Sequence, residues 1–118
     1  MDELRKRTLK MAVGLSIILR KKRIKILDIS PVNQIIKSSS SVAANFYAAT
    51  RGRSVKEFYS KICIVVEECD ETLFWIEYLK YTEFVNEAEI SEISSEVLQL
   101  LKIFSQMKKN ASKKLIKN

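Results

Sequence analysis

Histidine is absent from the 118-residue chain, and glycine, proline and cysteine are scarce at two, one and two residues. Without histidine no side chain has an ordinary pKa near neutrality, which excludes the usual nucleophile triads and histidine-bearing zinc sites. Nor is there material for a glycine-rich loop that cradles a nucleotide. So little turn-forming residue favours a few long helices over many short strands. Cys63 and Cys69 are too few for a disulfide framework, and on one helix they would lie nearly two turns apart, so a reducing cytoplasm is expected. The longest wholly apolar run, Ile62 to Val66, is far short of a bilayer span, and the opening MDELRKRTLK lacks the apolar centre of a signal peptide. No membrane partner is expected.

The length is that of one domain, residues 1–118, able to bury roughly two thirds of the surface its unfolded chain would expose. Leu4, Thr8, Met11, Leu15 and Ile18 recur at spacings of four and three, which predicts a first helix over Asp2 to Arg23. IKILDIS reads as an extended connector whose apolar side chains lid one end of the fold. Ser30 and Pro31 then supply an N-cap and a proline at the first helical position. From there Val32, Ile35, Ser39, Val42, Phe46 and Ala49 keep a helical period through the tract SSSS, which a flexible linker would have no reason to keep. The serines are therefore read as helical, small enough to let a neighbouring helix approach. Gly52 is placed at the C-cap, and SVKE, with Ser54 at the cap and Glu57 three residues on, opens a third helix to about Lys80. Its core stripe is Phe58, Ile62, Val65, Cys69, Leu73 and Ile76. NEAE at Asn86 to Glu89 caps a fourth helix with Ile90, Ile93, Val97, Leu101, Phe104, Met107, Ala111 and Leu115 on one side. Short connections make this an all-α, antiparallel up-down-up-down four-helix bundle.

Opposite its core stripe, the third helix carries Cys63, Ile64, Glu67, Glu71, Phe74 and Tyr78, with Trp75 at the border. A small bundle has no interior left for a second apolar face, so Ile64, Glu67, Glu71, Phe74, Trp75 and Tyr78 are expected at an interface between copies of the chain.

RTLKMAVGL, the long segment QIIKSSSSVAANFYAATRGRSVKEFYSKICIVVEECDETLFWIEYL and the apolar, then lysine-rich fourth helix resemble the bacterial four-helix bundle proteins encoded within intervening sequences of 23S ribosomal RNA genes. The most specific parts are the small-residue run leading to Ala44-Asn45-Phe46, the Arg51 to Ser54 turn, and Glu71-Thr72 followed by Trp75 and Leu79. The resemblance implies an up-down bundle that assembles into a ring, a homopentamer, with a nucleic-acid association. A related branch serves as accessory subunit beside the reverse transcriptase of diversity-generating retroelements. Where many members place a glutamate three residues after the asparagine, this chain has Ala48, so a salt bridge from that position is missing. The family supplies no catalytic residue, and none is carried over.

The net charge of +7 is unevenly spread: Met1 to Leu27 holds nine basic and two acidic residues, Glu67 to Glu96 ten acidic and one basic, and Lys102 to Asn118 six basic and none acidic. Antiparallel folding would gather Arg5, Lys6, Arg7, Lys10, Arg51, Arg53, Lys56, Lys61, Lys108, Lys109, Lys113, Lys114 and Lys117 at one pole against only Asp2, Glu3 and Glu57. Phosphate binding needs many such charges rather than one fixed geometry, so nucleic acid, RNA favoured, is the expected partner. A second cluster, Arg20 to Arg23 with Lys25, would lie at the other pole, near Glu77, Glu83, Glu87 and Glu89. No enzyme, metal or cofactor is expected. Ser105 and Lys108 are spaced as in some acyl enzymes but lack the companion motifs. Glu67, Glu68, Asp70 and Glu71 point to different sides of one helix, and a solvated or inter-subunit role suits them better than chelation. Two readings of function remain, a nucleic-acid-binding module and a structural or protein-docking oligomer.

Overall fold

In the computed structural model, which describes residues 1–117, four helices follow one another: α1 (Asp2–Arg20), α2 (Ile29–Thr50), α3 (Val55–Tyr81) and α4 (Glu87–Lys117). A single 3-10 turn, Ile26–Asp28, precedes α2, and no strand occurs among the described residues. Each helix packs on the next, and α1 closes the set against α4, while α1 with α3 and α2 with α4 lie across the diagonals. Directions follow from individual contacts. Arg7, early in α1, meets Glu96, whereas Lys22, just past its end, meets the earlier Glu89, so α1 and α4 run oppositely. Arg5, early in α1, stacks on Tyr47, late in α2, and Ser38 meets Thr72 across the α2–α3 pair, whose helices the short turn Arg51–Ser54 joins. The result is a rod of 51 × 23 × 21 Å. No helix of the described residues is long and apolar enough to cross a membrane.

The predicted core stripes meet along the axis of the rod. Leu15, Ile35, Val42, Phe46, Ile62, Val65, Cys69, Ile76, Val97 and Phe104 are fully buried, and the Phe46 and Phe104 rings lie 4.9 Å apart across the diagonal. Burying such a side chain contributes about 1.5 to 3 kcal/mol, so this seam outweighs the surface contacts. Cys69 sits within it, and burial pushes its thiol up to about 12, which keeps it protonated and inert.

The serine tract is helical throughout, and Ser38 and Ser39 are buried. Ser38 Oγ lies 2.9 Å from Thr72 Oγ1, and Thr72 Oγ1 lies 2.8 Å from the Glu68 carbonyl oxygen one turn back. Each hydroxyl carries one proton, so the pair is satisfied by one bond across the helices and one back to the backbone. Gly14 plays a similar spacing role between α1 and α4, because a Cβ there would come within 3.0 Å of Ile93.

The helix ends differ in several places from the sequence reading. α1 stops at Arg20 rather than Arg23, its last carbonyls taken by the N–H groups of Lys21 and Lys22. IKILDIS is not an extended lid: it contains the 3-10 turn, and Ile26 and Leu27 are more than 80% exposed. Because that turn runs directly into α2, Asp28 occupies the cap, and Pro31 is the third helical residue rather than the first, still inside the turn whose N–H groups need no helical partner. Arg51 holds the α2 C-cap, with Gly52 just beyond it. Gly52 has no positive φ, but a Cβ there would lie 3.1 Å from the Ala49 carbonyl oxygen, a tight contact that favours glycine. Ser54 caps α3 as expected, accepting from the Glu57 N–H, while Glu57 accepts from the N–H of Arg53 rather than from that of Ser54. The Asn86 box is fully reciprocal, with both bonds at 2.9 Å. α3 ends without glycine: Glu83 adopts φ 61°, and the Phe84 and Glu83 N–H groups return to the carbonyls of Leu79 and Lys80.

Candidate nucleic-acid interface

The start of α1, the α2–α3 turn and the end of α4 come together at one end of the rod. A single cleft of about 600 Å³ is lined by Met1, by Arg53 and Ser54 of the turn, and by Asn110 and Lys114 of α4. Beside it a shallower depression is lined by Arg51, Lys56 and Lys61. Arg51, Arg53 and Lys56 are exposed, as are Lys6, Lys10, Lys109, Lys113 and Lys114, while Lys108 is half-buried. None of these makes an ion pair among the described residues.

Two members of the expected cluster are occupied by the fold. Arg7 is held by Glu96 with bonds of 2.6 and 3.0 Å, and this raises its pKa above the usual guanidinium value. Arg5 stacks on Tyr47 at 4.2 Å to the ring centroid and reaches Asp2 at 3.6 Å. Its Nε is buried without a partner. Both arginines tie α1 to its neighbours, and the charge left for a ligand comes from the turn, from Lys6 and Lys10, and from α4. Sequence position alone put Arg5 and Arg7 with the rest, because the carboxylate that takes Arg7 lies 89 residues away.

At the opposite end two of the basic side chains are paired, while Arg20, Lys21, Arg23 and Lys25 are exposed and make no ion pair among the described residues. Lys22 pairs with Glu89, whose carboxyl is held below the usual range first by that bond and then by the Asn86 N–H. Lys80 pairs with Glu87 at 2.7 Å and Glu77 at 3.6 Å, and Glu87 above all raises its pKa.

Along α3, the residues assigned to a subunit interface form a small aromatic cluster. The rings of Phe74 and Trp75 lie 4.8 Å apart edge to face, and Tyr78 packs 5.3 Å from Trp75. Phe74 is 57% and Tyr78 42% exposed, whereas Trp75 leans on the core. Glu71 is half-buried and within 3.5 Å of the Trp75 indole nitrogen, Glu67 is exposed, and Ile64 is half-buried. A second apolar surface was missed from the sequence: Leu9, Val13 and Ile17 of α1 with Ile36 of α2. Its signal was present, since Leu9, Val13 and Ile17 recur every four residues beside the core stripe of α1.

The fold and surface together define a small, basic, all-helical bundle with an open cationic end and uncovered apolar flanks. The family model described as 23S rRNA-intervening sequence protein matches residues 7–106, and the chain belongs to that family. The match includes the Arg51–Ser54 turn but stops short of Lys108 and the lysines beyond it. The crystal structure of a protein of unknown function from the S23 ribosomal protein family of Bacteroides thetaiotaomicron is similar to this chain at a TM-score of 0.80 and 23% identity, covering 90% of this chain and 98% of that one. At that identity the likeness speaks for the fold. No curated protein matches the chain.

Proposed function

We propose that this member of the family is a non-catalytic, homo-oligomeric nucleic-acid-binding protein of the cytoplasm, with RNA the favoured ligand and no cofactor. One observation carries the reading: three segments distant in sequence deliver cations to one end of the bundle, and the carboxylates nearby leave most of them unpaired. A surface of this kind suits a phosphate backbone, whose binding is driven by counterion release. Arg51 and Arg53 are the strongest contributors, because a short turn presents them with little freedom to lose and a guanidinium grips phosphate with two bonds. The lysines of α4 contribute more diffusely. In a salt titration against RNA, replacing Arg51 and Arg53 by Ala weakens binding and flattens the salt slope by about one unit for each phosphate no longer neutralised. Unchanged affinity would sink the assignment of these arginines. Absence of RNA or DNA binding even at low salt would leave a structural or protein-docking oligomer, such as a reverse-transcriptase accessory subunit, as the better account.

A further inference from the structure

The cleft at the basic pole has a floor for which phosphate binding has no use. Phe58 of α3 and Met107 of α4 are half-buried, pack against the core and also line the cleft, together with the buried Ala111. None of the described residues lining it is acidic. The two that are charged, Arg53 and Lys114, are exposed and come from different elements, the α2–α3 turn and α4. A neutral polar group completes the lining: Asn110 Oδ1 accepts from Gln106 Nε2 at 2.9 Å, which leaves the Asn110 amide NH2 to donate. At about 600 Å³ the cleft lies within the roughly 300 to 1,000 Å³ of clefts that hold small organic ligands.

An aromatic ring, a thioether and a free amide between two cations match the parts of one nucleotide: an apolar base face, a polar base edge, and a phosphate on either side. We propose that the cleft takes a single unpaired nucleotide of an RNA strand, its base against Phe58 and Met107 and its flanking phosphates on Arg53 and Lys114. Stacking on an aromatic side chain and hydrogen bonding at a free base edge are the means by which unpaired RNA is recognised. A base in a duplex is already stacked and paired, and does not enter. Gly52 lines both this cleft and the depression of Arg51, Lys56 and Lys61, so the strand passes from one to the other over a residue without a side chain. The proposal rests on the nucleic-acid reading of this pole and adds a preference to it, single-stranded or looped RNA over duplex. Counterion release by itself favours the duplex, whose charge density is higher, so the order of affinities separates the cleft from the pole.

Binding of a short unstructured RNA with a fluorescent purine at its centre, compared with a blunt duplex of the same sequence at matched ionic strength, tests it. The wild type binds the single strand more tightly, and the purine emission changes as its base leaves water. Phe58→Leu keeps an apolar side chain on the core but removes the ring. Its affinity for the single strand falls about 10-fold, while its duplex affinity and salt slope stay at wild-type values, because no phosphate contact is lost. Retained duplex affinity also shows that the variant is folded. Asn110→Ala, at an exposed position, weakens single-strand binding about 3-fold and leaves the duplex unaffected. If the wild type does not prefer the single strand, or if Phe58→Leu spares it or lowers both affinities alike, the cleft takes no base while the phosphate-binding pole stands. If neither RNA binds at low salt, both fail.

Discussion

At one end of the bundle Lys22 reaches Glu89 and Lys80 reaches Glu87, whereas at the other Arg51, Arg53 and Lys56 reach no carboxylate within ion-pairing distance among the described residues. Arg20, Lys21, Arg23 and Lys25 are likewise exposed and unpaired, so pairing alone does not separate the ends. The difference is that the Lys22 end also gathers Glu77, Glu87 and Glu89, whereas the other end has many more basic side chains than carboxylates. A paired surface cation has already exchanged part of its hydration for a carboxylate, and a phosphate that displaces the partner must replace that bond before gaining anything. Pairing does not follow the ends cleanly, because Arg7, at the open end, is held by Glu96 as Lys22 is held by Glu89.

The largest effect that would break this comparison is on affinity. Replacing Arg51, Arg53, Lys109 and Lys113 by Ala should lower RNA affinity about 100-fold at low salt, whereas replacing Arg20, Lys21, Arg23 and Lys25 should change it by less than about 3-fold. Filter binding at matched ionic strength measures both. Equal losses would mean that net charge, not the open pole, governs binding.

A smaller effect concerns how the Lys22 end is built. Glu83 occupies a left-handed conformation that a side chain with a Cβ adopts at a cost, while the open end has no residue of that kind among those described. Glu83→Gly should stabilise the fold by about 0.5 to 1 kcal/mol after the extra freedom of glycine in the unfolded chain is subtracted. Thermal melting reads this as a rise in Tm, and a fall would show that Glu83 contributes a bond that outweighs its strain.

The smallest effect is a pH dependence. The native pKa of Glu89 lies below its ordinary value of 4.5, chiefly through its bond to Lys22. Its contribution is therefore fully present above the unfolded pKa and is lost as pH falls through the lowered native one. Lys22→Met should make Tm less sensitive to pH across that acid window and leave its slope near neutrality unchanged. An identical acid profile in wild type and variant would show that Lys22 does not hold Glu89 in solution.

Much of the architecture was legible because helical periodicity is a local property. The stripe from Val32 to Ala49 ran through the serine tract, and the structure buries every member of it. Ser54 and Asn86 were legible as caps for the same reason, since each bond spans three residues. The connector before α2 was less so: its apolar side chains suggested burial, but the 3-10 turn carries Ile26 and Leu27 away from the core. Glu83 left no trace, because glycine is the usual mark of a left-handed helix end and glutamate is not.

By itself, then, the sequence determined the number of helices and most of the residues that face the core, though not Leu19, Thr72, Leu79 or Leu100, since both depend on spacing along a chain that has little means of turning except at its few breaks. Only the tertiary structure decided which cations are spent and which remain. Whether Arg7 is available depends on Glu96, and whether α1 offers a furrow depends on how closely α2 lies beside Leu9, Val13 and Ile17. Both are distances between helices, and a periodic pattern specifies the face a helix buries without specifying the side chain that stands opposite it.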